Sequence, residues 1–377
     1  MDNNSGLRFL VARSDLRRTR LAPDADAPAS RALAEGEVRL AIKHFALTSN
    51  NITYAAFGDA MKYWEFFPTG DAQWGCIPVW GFAVVAQSRA AGIEAGRRVY
   101  GYLPMGSHLV VQPTRMGKRS FVDASVHRQG LPAAYNQLVF CDADADYRAD
   151  REAQQAILKP LFVTSFLIDD FLADQQFFGA QQVLLSSASS KTAYGTAYCL
   201  SLRRGKAGGT RVIGLTSPNN RAFVDSLGCY DEVRTYDELP QMAADKSSVY
   251  VDFAGQAALR RSIHEHFADR LGYSCSVGGT HWDGLGSGAG LPGPRPTLFF
   301  APAQLQKRGA PPPQGWGVEG LQQRIGEAWS AFLEPVCAPL DPWLRVAHGS
   351  GGDAVEAAYR ALLSGKADPR EGQMLSL

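Results

Sequence analysis

The sequence has no C-x-x-C pair, and its six cysteines (Cys76, Cys141, Cys199, Cys229, Cys275, Cys337) are scattered along 377 residues. That spacing excludes a zinc ribbon and a dithiol redox motif, and leaves the thiols as small apolar core residues. An excess of charge is lacking too: 38 basic against 37 acidic side chains give a formal net charge of +1. Such a balance offers no electrostatic footprint for nucleic acid or an anionic membrane surface. No apolar run reaches the roughly 18 residues that span a bilayer, and the opening MDNNSGLRFLVARSDLRRTR lacks a long apolar core behind its charges. The expectation is a cytoplasmic protein with a small-molecule substrate and neither nucleic acid nor membrane as partner. Two catalytic signatures are missing as well. No G-x-S-x-G elbow follows a strand, which argues against a serine hydrolase, and no G-x-x-x-x-G-K-[ST] loop is present. The seven histidines form no convergent set of metal ligands; His264 and His266, two apart, do not share a helix face.

What is present is enough chain for two domains, each with its own core. Residues 1–115 read as β-rich, with GEVRLAIKHFAL and WGFAVVAQSRAAGIEAGRRVYGYLPMGSHLVVQP giving short strands broken by Gly and Pro. Strands so spaced suit a small barrel or sandwich. The charged stretch CDADADYRADREAQQ reads as a solvated loop or helix start, and AILKPLFVTSFLIDDFLADQQFF as a buried helix entered near Pro160. Strand and helix signals then alternate: QQVLLSSA, TAYGTAYCLSLRRG, TRVIGLTS, NNRAFVDSLG, SSVYVDFAG and QAALRRSIHEHFADRLG. Continuous apolar strands alternating with helices predict a parallel sheet covered on both faces, the doubly wound pattern. Residues 283–317, rich in Gly and Pro, read as loop interrupted by TLFFAPAQLQKR. The closing segment reads strand, helix, Gly-stopped turn and a last short strand that completes the first domain.

The order of these parts, with GEVRLAIKHFALTSNN, IPVWGFAVVAQSRAAGIEAGRRVYGY and AVEAAYRALLSGKADPREGQMLSL, resembles the medium-chain dehydrogenase/reductase superfamily. Within it the chain is most similar to the zinc-free quinone-oxidoreductase and enoyl-reductase branch, from about Gly36 to Leu377. The resemblance implies an α/β protein with a GroES-like, barrel-type catalytic domain at 1–155, a Rossmann NADP(H)-binding domain at 156–305 and a return to the first domain at 306–377. It also implies a homodimer. Three places depart from the family's pattern, the last two of them from its zinc-dependent members. Arg97 stands where the family usually has Asp, Thr48 where they have Cys, and Val79-Trp80-Gly81 where they have a His-Glu pair. No metal is therefore expected.

A pyrophosphate is held by backbone N–H groups at a helix N-terminus. Laid on the family's G-A-x-G-G-V-G, the turn VLLSSASSKTAYG (183–195) gives Ser187-Ala188-Ser189-Ser190-Lys191-Thr192-Ala193. In one reading the hydroxyls of Ser189, Ser190 and Thr192 and the charge of Lys191 supplement the backbone. In the other, those side chains fill the space the pyrophosphate needs. The next strand ends in Thr216, Ser217, Asn219, Asn220 and Arg221 with no carboxylate, a set that suits the 2′-phosphate of NADP(H) better than the free 2′-OH of NAD(H); an ordinary helix cap with a solvated Arg is the alternative. Asp252 and Gly255 end the third strand at the crevice. By resemblance, Thr164, Gly278 in SVGGT (276–280) and Phe300 in LFFAPAQLQKR (298–308) lie beside the cofactor.

A nicotinamide cofactor carries the hydride itself, so the protein has to orient the acceptor and stabilise the developing anion. Without a metal to polarise a carbonyl, reduction of an activated double bond or a quinone is favoured over alcohol oxidation. Tyr54, in the segment that by resemblance faces the nicotinamide, is the first candidate proton donor, with Tyr63 and Tyr135 as rivals and Asn51 as a candidate for holding the acceptor carbonyl. The aromatic run YAAFGDAMKYWEFF could instead line an apolar pocket. A non-catalytic dinucleotide- or partner-binding protein, and a non-redox lyase or isomerase, are the competing functional readings.

Overall fold

A computed structural model describes residues 6–206, 209–278 and 290–377. The chain divides into two compact units, one made of Met1–Ile157 and Arg345–Leu377, the other of Leu158–Leu344.

The first unit is built on a mainly antiparallel nine-stranded sheet with a smaller three-stranded one. The strand Val38–Leu47, with Val38, Leu40 and Phe45 buried, pairs antiparallel with Pro78–Ser88, which pairs with Arg98–Pro104. The end of the chain closes the sheet. Glu371–Ser376 lies antiparallel to Val38–Leu47, Gln373 opposite Leu47, and parallel to Arg345–Ser350.

The second unit carries six parallel strands in the spatial order Glu232–Thr235, Arg211–Thr216, Gln182–Leu185, Ser248–Asp252, Leu271–Ser276, Thr297–Leu298. Counted along the chain this is 3-2-1-4-5-6, the doubly wound order. The strand reversal falls between Gln182–Leu185 and Ser248–Asp252. Both are buried along their length, as strands covered on both faces must be. Leu184, Ile213, Leu215 and Tyr250 of the sheet pack with Leu259, Ile263 and Phe267 of the helix Ala257–Phe267.

Two expectations are corrected. The long helix does not start at Pro160; it runs Glu152–Asp174 with Pro160 inside it. Proline removes one helical N–H, a loss outweighed here by anchoring through buried Leu161, Leu167, Ile168 and Leu172. The return to the first unit begins at Arg345 and not at 306. Residues 317–336, which include the end of the stretch read as loop, form the helix Gly317–Val336. It belongs to the second unit because Phe332 stacks on Phe162 at 4.5 Å between ring centroids and packs on Tyr198 at 5.2 Å. No described helix is long and apolar enough to cross a membrane.

Candidate functional site

The turn after the first parallel strand is where the sheet order puts a ligand crevice. Ser187 takes φ +46° there, the left-handed conformation that glycine adopts freely and other residues at a cost of about 1–2 kcal/mol. Its amide donates to the Tyr236 hydroxyl at 3.2 Å. The amides of Ala188 and Ser190 are committed to the carbonyls of Leu215 and Ser187 at 3.0 and 2.7 Å. Ser190 then caps the helix Lys191–Ser201, its hydroxyl accepting from the Ala193 amide at 3.4 Å. With three turn amides engaged, a phosphate bound here would rely on the amides that open the helix and on the side chains of Ser189, Lys191 and Thr192. Two residues on, Gly195 packs closely against the long helix, where a Cβ would lie 2.7 Å from the Ser165 hydroxyl.

The second strand ends beside this turn. Asn220 Nδ2 donates to the Ser189 hydroxyl at 3.0 Å, joining two of the sequence candidates. Ser217 precedes the short turn Pro218–Asn220, its carbonyl accepting from the Asn220 amide at 3.0 Å and its hydroxyl making no cap. Thr216 Oγ1 is buried with no hydrogen-bond partner, an orphaned hydroxyl at the strand end. Arg221 is placed there as expected but is engaged: Nε lies 3.0 Å from Asp225 Oδ2 and Nη1 3.1 Å from Glu238 Oε2. Glu238 is a carboxylate that the linear reading of this strand missed. It follows the neighbouring strand, whose Thr235 pairs with Thr216, and its signature is the capping box Thr235-x-x-Glu238.

Asp252 sits at the strand reversal, fully buried. Its carboxylate accepts from Ser186 Oγ at 3.1 Å, the amides of Ala254 and Gly255 at 3.2 and 3.0 Å, and Arg260 Nε at 2.9 Å. So many internal donors make it a brace for the strand end, not an acceptor open to a ribose. Gly278 stands next to it: its amide reaches the Asp252 carbonyl at 3.3 Å, and a Cβ there would lie 2.5 Å from the Phe253 carbonyl oxygen. The rest of SVGGT, Gly279 and Thr280, lies outside the described residues. Phe300 precedes the helix Ala301–Gly309 and is exposed. Thr164 is turned inward on its own helix, donating to the Pro160 carbonyl at 3.2 Å.

In the first unit the candidate tyrosines meet in one aromatic cluster. Ring centroids lie 4.5 Å apart for Tyr54 and Tyr63, 4.7 Å for Tyr102 and Tyr135, 5.8 Å for Tyr54 and Tyr102 and 6.4 Å for Tyr63 and Tyr135. Trp80 joins at 5.1 Å from Tyr102. Burial, then the neighbouring Tyr135, pushes the Tyr54 phenol far above its ordinary range, and burial does the same to Tyr63, Tyr102 and Tyr135. All four stay protonated at neutral pH. The Tyr54 hydroxyl is a common neighbour of Trp80, Asn50 and Tyr102, yet Trp80 Nε1 and the Tyr102 and Tyr100 hydroxyls lack hydrogen-bond partners. Buried donors so left are costly unless something pairs with them. Beneath the cluster, Arg128 pairs with Asp123 at 3.0 Å, both buried, and donates to the Tyr135 carbonyl at 3.3 Å.

Asn51 is corrected. Its Oδ1 accepts from the Thr48 amide at 2.7 Å and its Nδ2 donates to the Pro78 carbonyl at 2.8 Å, so both ends of the amide hold the helix Ser49–Ala56 in place and neither is offered to an acceptor. Among the described residues no three His, Cys, Asp or Glu side chains converge on a metal position.

The antiparallel unit, the inserted 3-2-1-4-5-6 sheet and the late return of the chain make a GroES-like domain interrupted by a Rossmann domain. Among solved structures, CurA from Vibrio vulnificus in complex with NADPH is similar over 98% of each chain, at 12% identity and a TM-score of 0.57. A mutant form of enoyl thioester reductase from Candida tropicalis is similar over 99% of this chain and 100% of its own, at 12% and 0.55. The yhdH oxidoreductase from Salmonella enterica in complex with NADP matches over 98% and 99%, at 13% and 0.51. At such identities the likeness is one of fold. No curated protein matches by sequence. The chain belongs to the family described as "Protein of unknown function (DUF2855)", whose model matches residues 45–368.

Proposed function

We propose that this protein is a zinc-independent, NADPH-dependent reductase of an activated double bond, in an α,β-unsaturated carbonyl or thioester, or of a quinone. The observation that carries the reading is the strand reversal of the second unit. There a helix N-terminus with Ser189, Ser190, Lys191 and Thr192 is joined by the Asn220–Ser189 hydrogen bond to the end of the second strand, which carries the orphaned Thr216 hydroxyl and runs on into Arg221. This donor set fits an anionic dinucleotide. Two of the similar folds are described as complexes with NADPH or NADP, which supports the same choice.

Bound there, the cofactor supplies hydride. The first turn of the Lys191–Ser201 helix, with the hydroxyls and the Lys191 ammonium, would hold the pyrophosphate; Thr216, Ser217 and Asn220 would hold the ribose and Arg221 the 2′-phosphate. Tyr54 donates a hydrogen bond or proton to the oxygen of the acceptor as negative charge develops on it. Its raised pKa keeps that proton in place until the anion forms. Tyr63 and Tyr135 are its alternates. The proposal keeps the cytoplasmic setting and the homodimer as expectations.

The test is NADPH fluorescence on purified protein, followed by NADPH consumption across enones, enoyl thioesters and quinones. Absence of any fluorescence change at high protein concentration would sink the reductase reading. Binding with no turnover on the whole panel would favour a non-catalytic dinucleotide-binding protein.

A further inference from the structure

The 2′-phosphate contact proposed for Arg221 has to displace something already there. Arg221 Nη1 is 3.1 Å from Glu238 Oε2, and Glu238 is not a loose surface residue. Its Oε2 also accepts from the Thr235 amide at 2.7 Å and the Thr235 hydroxyl at 3.1 Å, the acidic half of a capping box. Arg234 Nη1 lies 3.8 Å from its other oxygen. The Thr235 amide bond, with Arg221 and Arg234 nearby, holds this carboxyl below the usual range, so it is ionised at neutral pH. The register Thr216 opposite Thr235 brings the two strand ends side by side.

We propose that Glu238 is a specificity-determining residue that masks Arg221 against a 2′-phosphate. This rests on the dinucleotide reading above. A 2′-phosphate binds by exchanging with Glu238 on the guanidinium, and then stands close to a carboxylate of its own sign. A free 2′-hydroxyl meets neither cost and finds in Glu238 an acceptor. The wild-type chain therefore separates the two dinucleotides less sharply than Arg221 alone would.

Full-length wild type and Glu238→Gln are titrated calorimetrically with adenosine 2′,5′-bisphosphate and adenosine 5′-monophosphate, and by fluorescence with NADPH and NADH. Glutamine keeps an oxygen for the Thr235 amide, so the cap survives. The variant is expected to bind the bisphosphate and NADPH about three- to fivefold more tightly, the range a half-exposed ion pair is worth, with the monophosphate and NADH unchanged or weaker. Asp225→Asn, which removes the more exposed partner of Arg221 (side chain 50% exposed against 27% for Glu238), is expected to shift the ratio less. An unchanged ratio in Glu238→Gln, or an equal shift in Asp225→Asn, overturns the inference while wild-type binding of NADPH leaves the cofactor reading standing. If neither protein binds any of the four ligands, the reading and the inference fall together.

Discussion

Replacing Asp252 with Asn separates a structural brace from a ligand contact. The pair with Arg260 is almost wholly buried, the side chains 1% and 9% exposed, and the same carboxylate accepts from Ser186 and the amides of Ala254 and Gly255. Asparagine preserves the volume but halves the acceptors and leaves the Arg260 guanidinium beside a neutral group. Breaking a buried pair from one side costs about 3–5 kcal/mol. For a unit of this size that is about 6–20 °C in the unfolding midpoint. Differential scanning calorimetry of the ligand-free protein measures it, with the transition of the second unit as the readout, since a two-unit chain need not unfold in one step. A loss below about 1 kcal/mol, joined to much weaker dinucleotide binding, would refute the argument and return Asp252 to the ligand site.

Three further outcomes are expected. Arg221→Ala should weaken NADPH by about tenfold, the scale of a charge-assisted contact, and NADH far less; equal losses by fluorescence titration would contradict its role. Tyr54→Phe should lower turnover with NADPH affinity unchanged, and turnover left at the wild-type level would pass the donor role to Tyr63 or Tyr135. Burial holds the His264 imidazole below its ordinary 6.5, so the unfolded chain takes up protons that the folded one refuses, and stability falls as pH drops below about 6.5. His44, His108 and His127 are shifted the same way. Chemical denaturation across that range should therefore show a shallower fall in His264→Asn than in wild type, and an identical slope would dismiss the histidine.

The parallel sheet was legible because strands buried on both faces must be continuously apolar, as VLL, VIGL and VYV are. The last strand was legible from its position after a glycine-stopped helix. Other features depend on information that spacing does not carry. Glu238 could be recognised as a cap from Thr235-x-x-Glu238, but its meeting with Arg221 depends on the register between two strands. The Asp252–Arg260 pair crosses a strand–helix turn whose geometry has no fixed period. The helix Gly317–Val336 has a legible pattern, with Leu321, Trp329, Phe332 and Val336 buried at helical spacing, but it starts at the end of a stretch whose Gly and Pro signal loop. Asn51 looked like a substrate contact because its type fits one; the Thr48-x-x-Asn51 pattern pointed to a cap.

The interrupted first unit also sets an order of events during synthesis. Residues 158–344 are contiguous and can complete their own sheet as they emerge, while the strand Val38–Leu47 waits for Glu371–Ser376, made after all of them. Until then Phe45–Leu47 present an unpaired edge, the kind of surface on which nascent chains associate wrongly. The closing strand is thus a late seal. Losing it would expose that edge without touching any residue proposed to bind cofactor, and the damage would register as poor yield of soluble protein before it registered as lost activity.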